Sequence, residues 1–196
     1  NFESYLDANS IKKQFEILKK ILKKENIIQY NLSSRMHYLR YKHPKTSILL
    51  SEAGILIDES MCYADYVGFR CGSCFEYPAF DPIKLKEINL RIRPLIVMDV
   101  TITGYMGIDG SENIIKKILD LKNRCKKVKG VFSMLWHNSE LVTNIQKKIY
   151  TSKNIVSDYE IVDARFFRDD LLISFWSLYS RPDIVLCDDI VTAGEA

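Results

Sequence analysis

Three side chains of the sequence, Arg70, Asp99 and His137, have the types that proton transfer and substrate binding require. Each comes directly after a short apolar stretch. A carboxylate that accepts a hydrogen bond from one imidazole nitrogen fixes the tautomer of the ring and raises its basicity, which leaves the other nitrogen for proton transfer. An arginine beside this pair can orient a second carboxylate or bind substrate oxygens through its planar fork. The alternative is an ordinary buried ion pair at a sheet edge, and the spacing alone gives the two interpretations equal weight.

The same pattern of a charged or imidazole side chain after an apolar stretch occurs earlier in the chain. Arg35 and His37 follow Leu32, and Asp58 follows Ile57. In an α/β barrel the carboxyl ends of the strands open on one face, and that face carries the chemistry. A single polar residue at a strand end is usually a cap. Several strands that each end in an acidic, basic or imidazole side chain indicate a functional site. We expect one face to bring together Arg35, His37, Arg70, Asp99 and His137.

Helical periodicity predicts the elements that would hold these side chains. A first helix is expected to begin at a Ser10 cap, with paired lysines on its solvated side. Its apolar stripe consists of Ile11, Phe15, Leu18, Ile21 and Leu22. A second helix is predicted over 45–53, with Gly54 at its C-terminus, and a third begins near Ser111 and is closed by Gly130. The stripe of the third consists of Ile114, Ile118, Leu121, Cys125 and Val128.

Continuous apolar runs at 94–98 and 131–136 predict buried strands between these helices. Strands that alternate with helices form βα units around a parallel sheet. The predicted fold class is therefore α/β.

Composition excludes several classes of protein. The 196 residues carry 28 basic and 25 acidic side chains, a net charge of 28 − 25 = +3, which is too small and too dispersed to indicate a nucleic-acid partner. An apolar content of 47% and a charged content of 27% are those of an ordinary globular chain. No apolar run approaches the roughly 18 residues that a membrane span needs. The expected class is a soluble protein of one domain plus a remainder.

The five cysteines are odd in number and irregularly spaced, so no disulfide framework is expected and the predicted location is the cytoplasm. The segment Cys71-Gly72-Ser73-Cys74 has the spacing of a redox or metal motif, but it lies in mid-chain and has no second copy. We interpret it as small residues in a tight loop where the backbone approaches a ligand.

Four segments together resemble the polysaccharide deacetylase family, which is the NodB-homology domain of carbohydrate esterase family 4. They are Gly68–Asp81 with its GFRCGSC and YPAFD motifs, Val97–Thr101 (VMDVT), Phe132–Asn138 (FSMLWHN), and Ser33–Leu39 (SSRMHYL) with Pro44 downstream. The resemblance covers roughly residues 1–150 and is closest to a bacterial branch found beside surface-polysaccharide genes. It implies a distorted (β/α) barrel, truncated at its N-terminal side, that removes acetyl groups from sugars.

The resemblance also implies roles for individual residues. His137, in the leucine-x-histidine motif, would be the general acid for the leaving amine, and Asp99 would orient it. Arg70 would position the catalytic base, and a backbone N–H near Ser73 would stabilise the oxyanion. Arg35 is a further candidate for substrate binding. Trp136 would either wall a sugar pocket or, as is favoured, belong to the core.

A divalent metal, commonly zinc, is held in this family by one Asp and two His. The Asp-Asp motif that carries one ligand and the base would lie upstream of Asn1, and the His-x3-His motif is not present. The metal site is therefore truncated, degenerate or partly rebuilt with His37. Because the chain begins without Met and ends inside a predicted helix, we expect it to be a piece of a longer polypeptide, inactive by itself.

Residues 155–196 do not fit the barrel of residues 1–154. They predict a helix over about 169–180 and then the strand-like segment Arg181–Asp189. This segment resembles the donor-side opening of GT-B glycosyltransferases of family 4, which would make the tail the start of a fused domain. The alternative is a last βα unit of the barrel.

The leading hypothesis is a metal-dependent de-N-acetylase that acts on an acetylated sugar or polysaccharide in cell-surface glycan synthesis. The rival hypothesis is an inactive barrel of the same descent that binds glycan or serves as a scaffold module of a larger glycosyltransferase protein.

Overall fold

The computed structural model describes residues 3–28, 32–150 and 152 and, in addition, the backbone of 184–187. The helices are α1 (Ala8–Lys24), α2 (Lys45–Glu52), α3 (Ser111–Lys127) and α4 (Asn144–Tyr150). The strands are β1 (Leu32–Arg35), β2 (Ile57–Asp58), β3 (Tyr77–Asp81), β4 (Lys86–Ile92), β5 (Val97–Met98), β6 (Met134–Leu135) and β7 (Ile184–Cys187). Short helical turns span Ser4–Leu6, His37–Leu39, Thr101–Tyr105 and Asn138–Leu141.

These elements form two units. The first unit contains α1, α2, β1 to β4 and β7, and the second contains residues 62–75 together with the described residues from Pro94 to 152. No helix among the described residues is long and apolar enough to cross a membrane.

The first unit is built on a five-stranded mixed sheet with the strand order β3-β4-β2-β1-β7. β1 runs parallel to β2 and β7, β2 runs parallel to β4, and β3 is antiparallel to β4. The register pairs Ser34 with Asp58 and Asp58 with Ile92. Because β1, β2 and β4 are parallel neighbours, the residues that follow them meet at one edge of the sheet.

Helix α1 buries Ile11, Phe15, Leu18 and Leu22 of the predicted apolar stripe in the core of the first unit, whereas Ile21 is only partly buried. The paired lysines are exposed, as expected for a solvated helix face. The predicted cap was wrong. The helix begins at Ala8, and the carboxylate of Asp7 accepts from the N–H of Asn9 at 2.9 Å. A carboxylate two residues upstream of this N–H satisfies it and lets the helix start one turn early.

Helix α2 ends where Gly54 was predicted to close it. Gly54 has a φ of +86°, a left-handed conformation that costs glycine little, and its N–H donates to the Ser51 carbonyl. The chain then enters β2, where Ile57 is buried, and Ile55 packs in the same core cluster as Leu50 and the apolar residues of α1.

The second unit contains the two-stranded parallel sheet of β5 and β6, in which Val97 pairs with Met134 and Met98 with Leu135. Both strands lie in the predicted apolar runs. Helix α3 packs against this sheet with the expected stripe of Ile114, Ile118, Leu121 and Cys125, all of them buried. Val128, the predicted last member, is half exposed because the helix has already ended at Lys127.

The residue that closes α3 is also different from the one predicted. Lys129, with a φ of +57°, makes the left-handed turn, and Gly130 donates its N–H to the Cys125 carbonyl. Gly130 is required for space instead, since a Cβ there would lie 2.2 Å from the Sγ of Cys74.

The described residues form helices and strands in α/β alternation without a closed barrel. The distorted barrel therefore stays a prediction. In the tail, β7 lies within the segment that predicted a strand and pairs in parallel with β1, from Leu32 opposite Ile184 to Arg35 opposite Cys187. The helix predicted over 169–180 lies outside the described residues, and the division at 154 stays a prediction.

Candidate functional site

Asp99 and His137 form a hydrogen-bonded pair in the second unit. Asp99 directly follows β5, and His137 lies two residues after β6. Because Met98 and Leu135 are register partners in parallel strands, the residues beyond them are brought side by side. The Nδ1 of His137 lies 2.6 Å from Oδ1 of Asp99, and the backbone N–H of His137 donates to Oδ2 at 2.5 Å. The sequence-predicted pair is therefore present, across 38 residues of chain.

The two members of this pair differ in exposure. The Asp99 carboxylate is buried, and it accepts a third hydrogen bond from the Val100 N–H at 2.7 Å. The side chain of His137 remains 34% exposed. Because Nδ1 is occupied by the Asp99 carboxyl group, proton exchange with a bound molecule would take place at Nε2. The carboxylate would also stabilise the imidazolium form of the ring.

The chain after Asp99 takes a π-helical turn at Thr101–Tyr105. The Thr103 hydroxyl donates to the Asp99 carbonyl at 3.1 Å, and the Thr101 hydroxyl donates to the Ala64 carbonyl at 2.8 Å. π-Helical turns are rare in proteins, and those that occur often lie at functional sites. Here the turn ties the residues after Asp99 to the loop that precedes Arg70.

Arg70 lies at the end of this loop and is exposed. Its Nη1 donates to the carbonyl of Cys62 at 2.6 Å, and its guanidinium lies 5.9 Å from the centre of the Tyr63 ring. The structure therefore holds Arg70 in the same unit as Asp99 and His137. Its predicted role in positioning a catalytic base stays a prediction.

Ser73 lies in a tight turn, as expected for this run of small residues. Gly72 has a φ of +66° and donates to the Phe69 carbonyl, and the Ser73 hydroxyl accepts from the N–H of Phe75 at 3.0 Å. The thiols of Cys71 and Cys74 are unbridged. Cys74 is buried beside Cys125, and burial raises the pKa of the Cys125 thiol to about 12. Buried thiols of this kind are unreactive.

Trp136 is buried in the core of the second unit. Its indole N–H donates to the Glu140 carbonyl at 3.2 Å, and its ring centre lies 5.8 Å from that of Tyr150. These contacts favour the core interpretation of Trp136 over the wall of a ligand pocket.

Arg35 belongs to the first unit, where it is fully buried. Its Nη2 lies 2.6 Å from Oε2 of Glu59, and the other oxygen of Glu59 accepts from Nη1 of Arg93 at 2.9 Å. Arg93 in turn pairs with the partly exposed Glu76. We call Arg35, Glu59, Arg93 and Glu76 the buried ion network. These contacts give Arg35 a buried carboxylate as its partner, and its predicted role in substrate binding stays a prediction.

His37 is also in the first unit, in the turn His37–Leu39. It is half-buried, and its ring centre lies 4.3 Å from that of the exposed Tyr38. Tyr38 and Leu39 both have a φ of +54°, which is strained for residues with a Cβ. The predicted convergence of Arg35 and His37 with the residues of the second unit stays a prediction.

Asp58 is a buried carboxyl whose surroundings sequence reasoning missed. It accepts hydrogen bonds from the Ser60 N–H at 3.0 Å, the Ser60 hydroxyl at 2.9 Å and the Ser34 hydroxyl at 3.2 Å. Burial nevertheless raises the pKa of Asp58 to about 6, because the loss of water outweighs these bonds and the nearby Arg35. The sequence signal for this buried polar cluster is the run of three polar residues, 58–60, directly after an apolar stretch.

The described residues do not by themselves fit a zinc site. Among them no three His, Cys, Asp or Glu side chains form a group that could hold a metal ion. Asp99, the acidic residue of the candidate pair, already accepts hydrogen bonds on both oxygens. The Asp and two His that the resemblance implies would have to include residues outside the described part of the chain.

Comparisons with models of known protein families, with curated proteins and with solved structures found no match to this chain.

Proposed function

We propose that this chain is part of a hydrolase that removes acetyl groups, N-acetyl groups foremost, from a sugar or polysaccharide of the cell surface. The observation that supports this most is the pair of Asp99 and His137. It combines a buried, triply hydrogen-bonded carboxylate with a partly exposed imidazole at the carboxyl ends of two parallel strands. Ligands of α/β proteins bind at such strand ends.

The chemistry needs a proton donor at the leaving nitrogen. Hydrolysis of an N-acetyl group adds water to the amide carbon, and the resulting tetrahedral species expels the amine only when its nitrogen gains a proton. In this proposal, Nε2 of His137 gives that proton, and the Asp99 carboxylate stabilises the imidazolium before transfer. The products are acetate and the free amine of the sugar.

Arg70 and the turn at Ser73 complete the proposed site. The exposed guanidinium of Arg70 is held by the Cys62 carbonyl, which leaves it further donors for a carboxylate or a substrate oxygen. In this proposal a backbone N–H near Ser73, in the tight turn that follows Gly72, stabilises the developing oxyanion. A divalent metal, zinc foremost, belongs to the proposal, with ligands from outside the described residues.

We place this reaction in the cytoplasm. The described cysteines, Cys62, Cys71, Cys74 and Cys125, are unbridged, as a reducing compartment would keep them.

The second candidate is a glycan-binding module without catalysis, with a fused glycosyltransferase as its partner. It is favoured by the exposed tyrosines of the second unit, since aromatic rings can bind sugars whether or not a proton is transferred.

Acetate release from an N-acetylated oligosaccharide separates these candidates. The full-length polypeptide that contains this sequence should release acetate, and His137→Ala should lower kcat by roughly 10²–10⁴-fold with little change in KM. His43→Gln, at an exposed histidine of the first unit, is the matched control and should be fully active. Absence of acetate release with added Zn²⁺ would leave the binding module as the function.

The 196-residue chain alone is expected to release no acetate. Release by this chain that is abolished by a chelator would mean that the site is built from other residues of it.

A further inference from the structure

The hairpin of β3 and β4 in the first unit ends in a short loop that exposes two large aliphatic side chains. Ile83 is 81% exposed and Leu85 is 77% exposed. Both belong to the loop 82–85, which lies between the register partners Asp81 and Lys86. Residues two positions apart have Cα atoms within about 7 Å of each other, so the two side chains belong to one small surface. We call residues 82–86 the hairpin tip.

The exposed charges of the hairpin tip are positive. Lys84 lies between the two aliphatic residues, Lys86 follows them, and both lysines are exposed. The neighbouring Asp81 is buried, and its Oδ1 accepts from the N–H of Ile83 at 2.9 Å and from that of Lys84 at 3.1 Å. The exposed Glu87 lies one step further from the loop, opposite Phe80 in the strand register. The tip itself therefore presents aliphatic side chains interleaved with ammonium groups.

The loop is ordered, although neither the backbone nor the core accounts for its leucine. The two hydrogen bonds to Asp81 close the loop, and Pro82 restricts φ at its first position. Leu85 has a φ of +51°, a left-handed conformation that glycine or asparagine adopts at lower cost. A leucine here is unfavourable for the backbone and leaves its side chain in water. Both costs favour a role for this side chain in contact with a partner.

The size of the hairpin tip argues against a protein as that partner. A stable protein–protein interface takes about 20–30 residues from each side, whereas the tip is a narrow loop. A lipid bilayer makes no such demand, because aliphatic side chains can enter the boundary between headgroups and acyl chains one at a time. Lysines beside them then lie at the level of the headgroups, where anionic lipids attract them.

We infer that the hairpin tip docks this protein onto the surface of an anionic lipid bilayer. Ile83 and Leu85 enter the boundary of the acyl chains, and Lys84 and Lys86 pair with lipid phosphates. The contact is reversible, since two aliphatic side chains and two cations provide limited affinity, and it needs no membrane-spanning helix. This inference goes beyond the proposed function and does not depend on it.

Vesicle binding by the full-length polypeptide tests the hairpin tip. Co-sedimentation should show tighter binding to vesicles of phosphatidylcholine with phosphatidylglycerol than to phosphatidylcholine alone, and added salt should weaken it. Ile83→Ser and Leu85→Asn should each lower the partition coefficient by roughly 10-fold. Lys84→Gln and Lys86→Gln should each lower it by about 5-fold and reduce its dependence on salt.

The choice of variants separates binding from folding. Asparagine suits the left-handed backbone of residue 85, so Leu85→Asn should unfold at the same urea concentration as the unchanged protein or a higher one. Ile28→Ser is the matched control, because Ile28 is a 77% exposed aliphatic residue of the same unit outside the hairpin. It should leave vesicle binding unchanged. Equal losses in Ile28→Ser and Ile83→Ser would overturn the inference.

A fluorescent reporter reads the insertion directly. With Ile83→Trp, tryptophan emission should shift to shorter wavelength on addition of the anionic vesicles, and lipids brominated on their acyl chains should quench it. Vesicle binding that every tip variant retains would assign the contact to another part of the polypeptide and overturn the inference. A dimer without lipid that Ile83→Ser and Leu85→Asn dissociate, together with no vesicle binding, would make the tip a contact between two copies instead.

Discussion

The two units place similar residues at the carboxyl ends of parallel strands, yet they use them differently. In the first unit Glu59 lies between Arg35 and Arg93, and all three are buried. In the second unit the buried Asp99 is paired with His137, whose side chain is 34% exposed. A charge at a strand end therefore indicates a site only when its partner can still meet a ligand.

The two units also differ in whether the basic partner of the buried carboxylate can exchange a proton. Guanidinium groups stay charged at every relevant pH, so the two arginines of the buried ion network keep their charge and fix its geometry. An imidazole can donate or accept a proton, which is what the proposed function requires of His137. Under the proposed function, the first pair therefore fixes structure and the second transfers a proton.

The largest expected effect concerns the second pair. Asp99→Asn keeps the size of the side chain but removes the charge that stabilises the imidazolium, so kcat for acetate release should fall by roughly 10²–10⁴-fold, as for His137→Ala. Because both residues serve one proton transfer, the double variant should be little worse than either single variant. The measurement is kcat and its pH profile on an acetylated oligosaccharide. Losses that simply multiply would make His137 structural.

The next effect concerns the buried ion network. Glu59→Gln removes the carboxylate between two buried guanidinium groups, and leaving such charges unpaired typically costs about 3–5 kcal/mol. The free energy of unfolding in urea should fall by that amount. Glu76→Gln, at a partly exposed member of the network, should cost much less. A similar small loss in both variants would remove the contrast between the units.

Local pattern allowed much of this arrangement to be predicted. The stripes of α1 and α3, the runs of β5 and β6 and the pair of Asp99 and His137 all follow from spacing and strand-end position. These features depend on residues close in the sequence or on one rule about parallel strands. The parallel pairing of β5 with β6 then supplied the contact between residues 38 positions apart.

The buried ion network could not be predicted because it depends on strand order. Arg93 reaches Glu59, 34 residues earlier, only because β4 lies beside β2 in the sheet. Nothing in the local pattern indicates which strands become neighbours. For the same reason the sequence did not indicate that Arg35 has the buried Glu59 carboxylate as its partner.

A smaller effect should appear in the pH dependence of the first unit. The pKa of Asp58 is raised to about 6 in the folded state, above about 3.9 for an unfolded Asp. The folded state therefore binds the proton more tightly, and its stability should rise as the pH falls from about 7 to about 4, by on the order of 3 kcal/mol from this group. A carboxyl group whose pKa is lowered by folding has the opposite effect, because its contribution to stability decreases as the pH falls.

The Asp58→Asn variant isolates this contribution. The difference in unfolding free energy between the unchanged protein and this variant, measured in urea from pH 4.5 to 7.5, should change with pH in the stated direction. A difference that stays constant across this range would mean that folding does not raise the pKa of the Asp58 carboxyl into it.

The smallest expected effect concerns the second unit and tests how closely Gly130 packs against Cys74. A Cβ on Gly130 would lie 2.2 Å from Sγ of Cys74, so Gly130→Ala must displace a buried side chain. Such overpacking typically costs about 1–3 kcal/mol. Gly104→Ala is the matched control in the same unit, since its Cβ would meet Val100 at an ordinary 3.6 Å. Combining Gly130→Ala with Cys74→Ala removes the clash, so the double variant should be more stable than the sum of the two single losses predicts. Strict additivity, measured by urea unfolding, would show that Cys74 is not the obstacle and that the turn after α3 accommodates a methyl group by shifting its backbone.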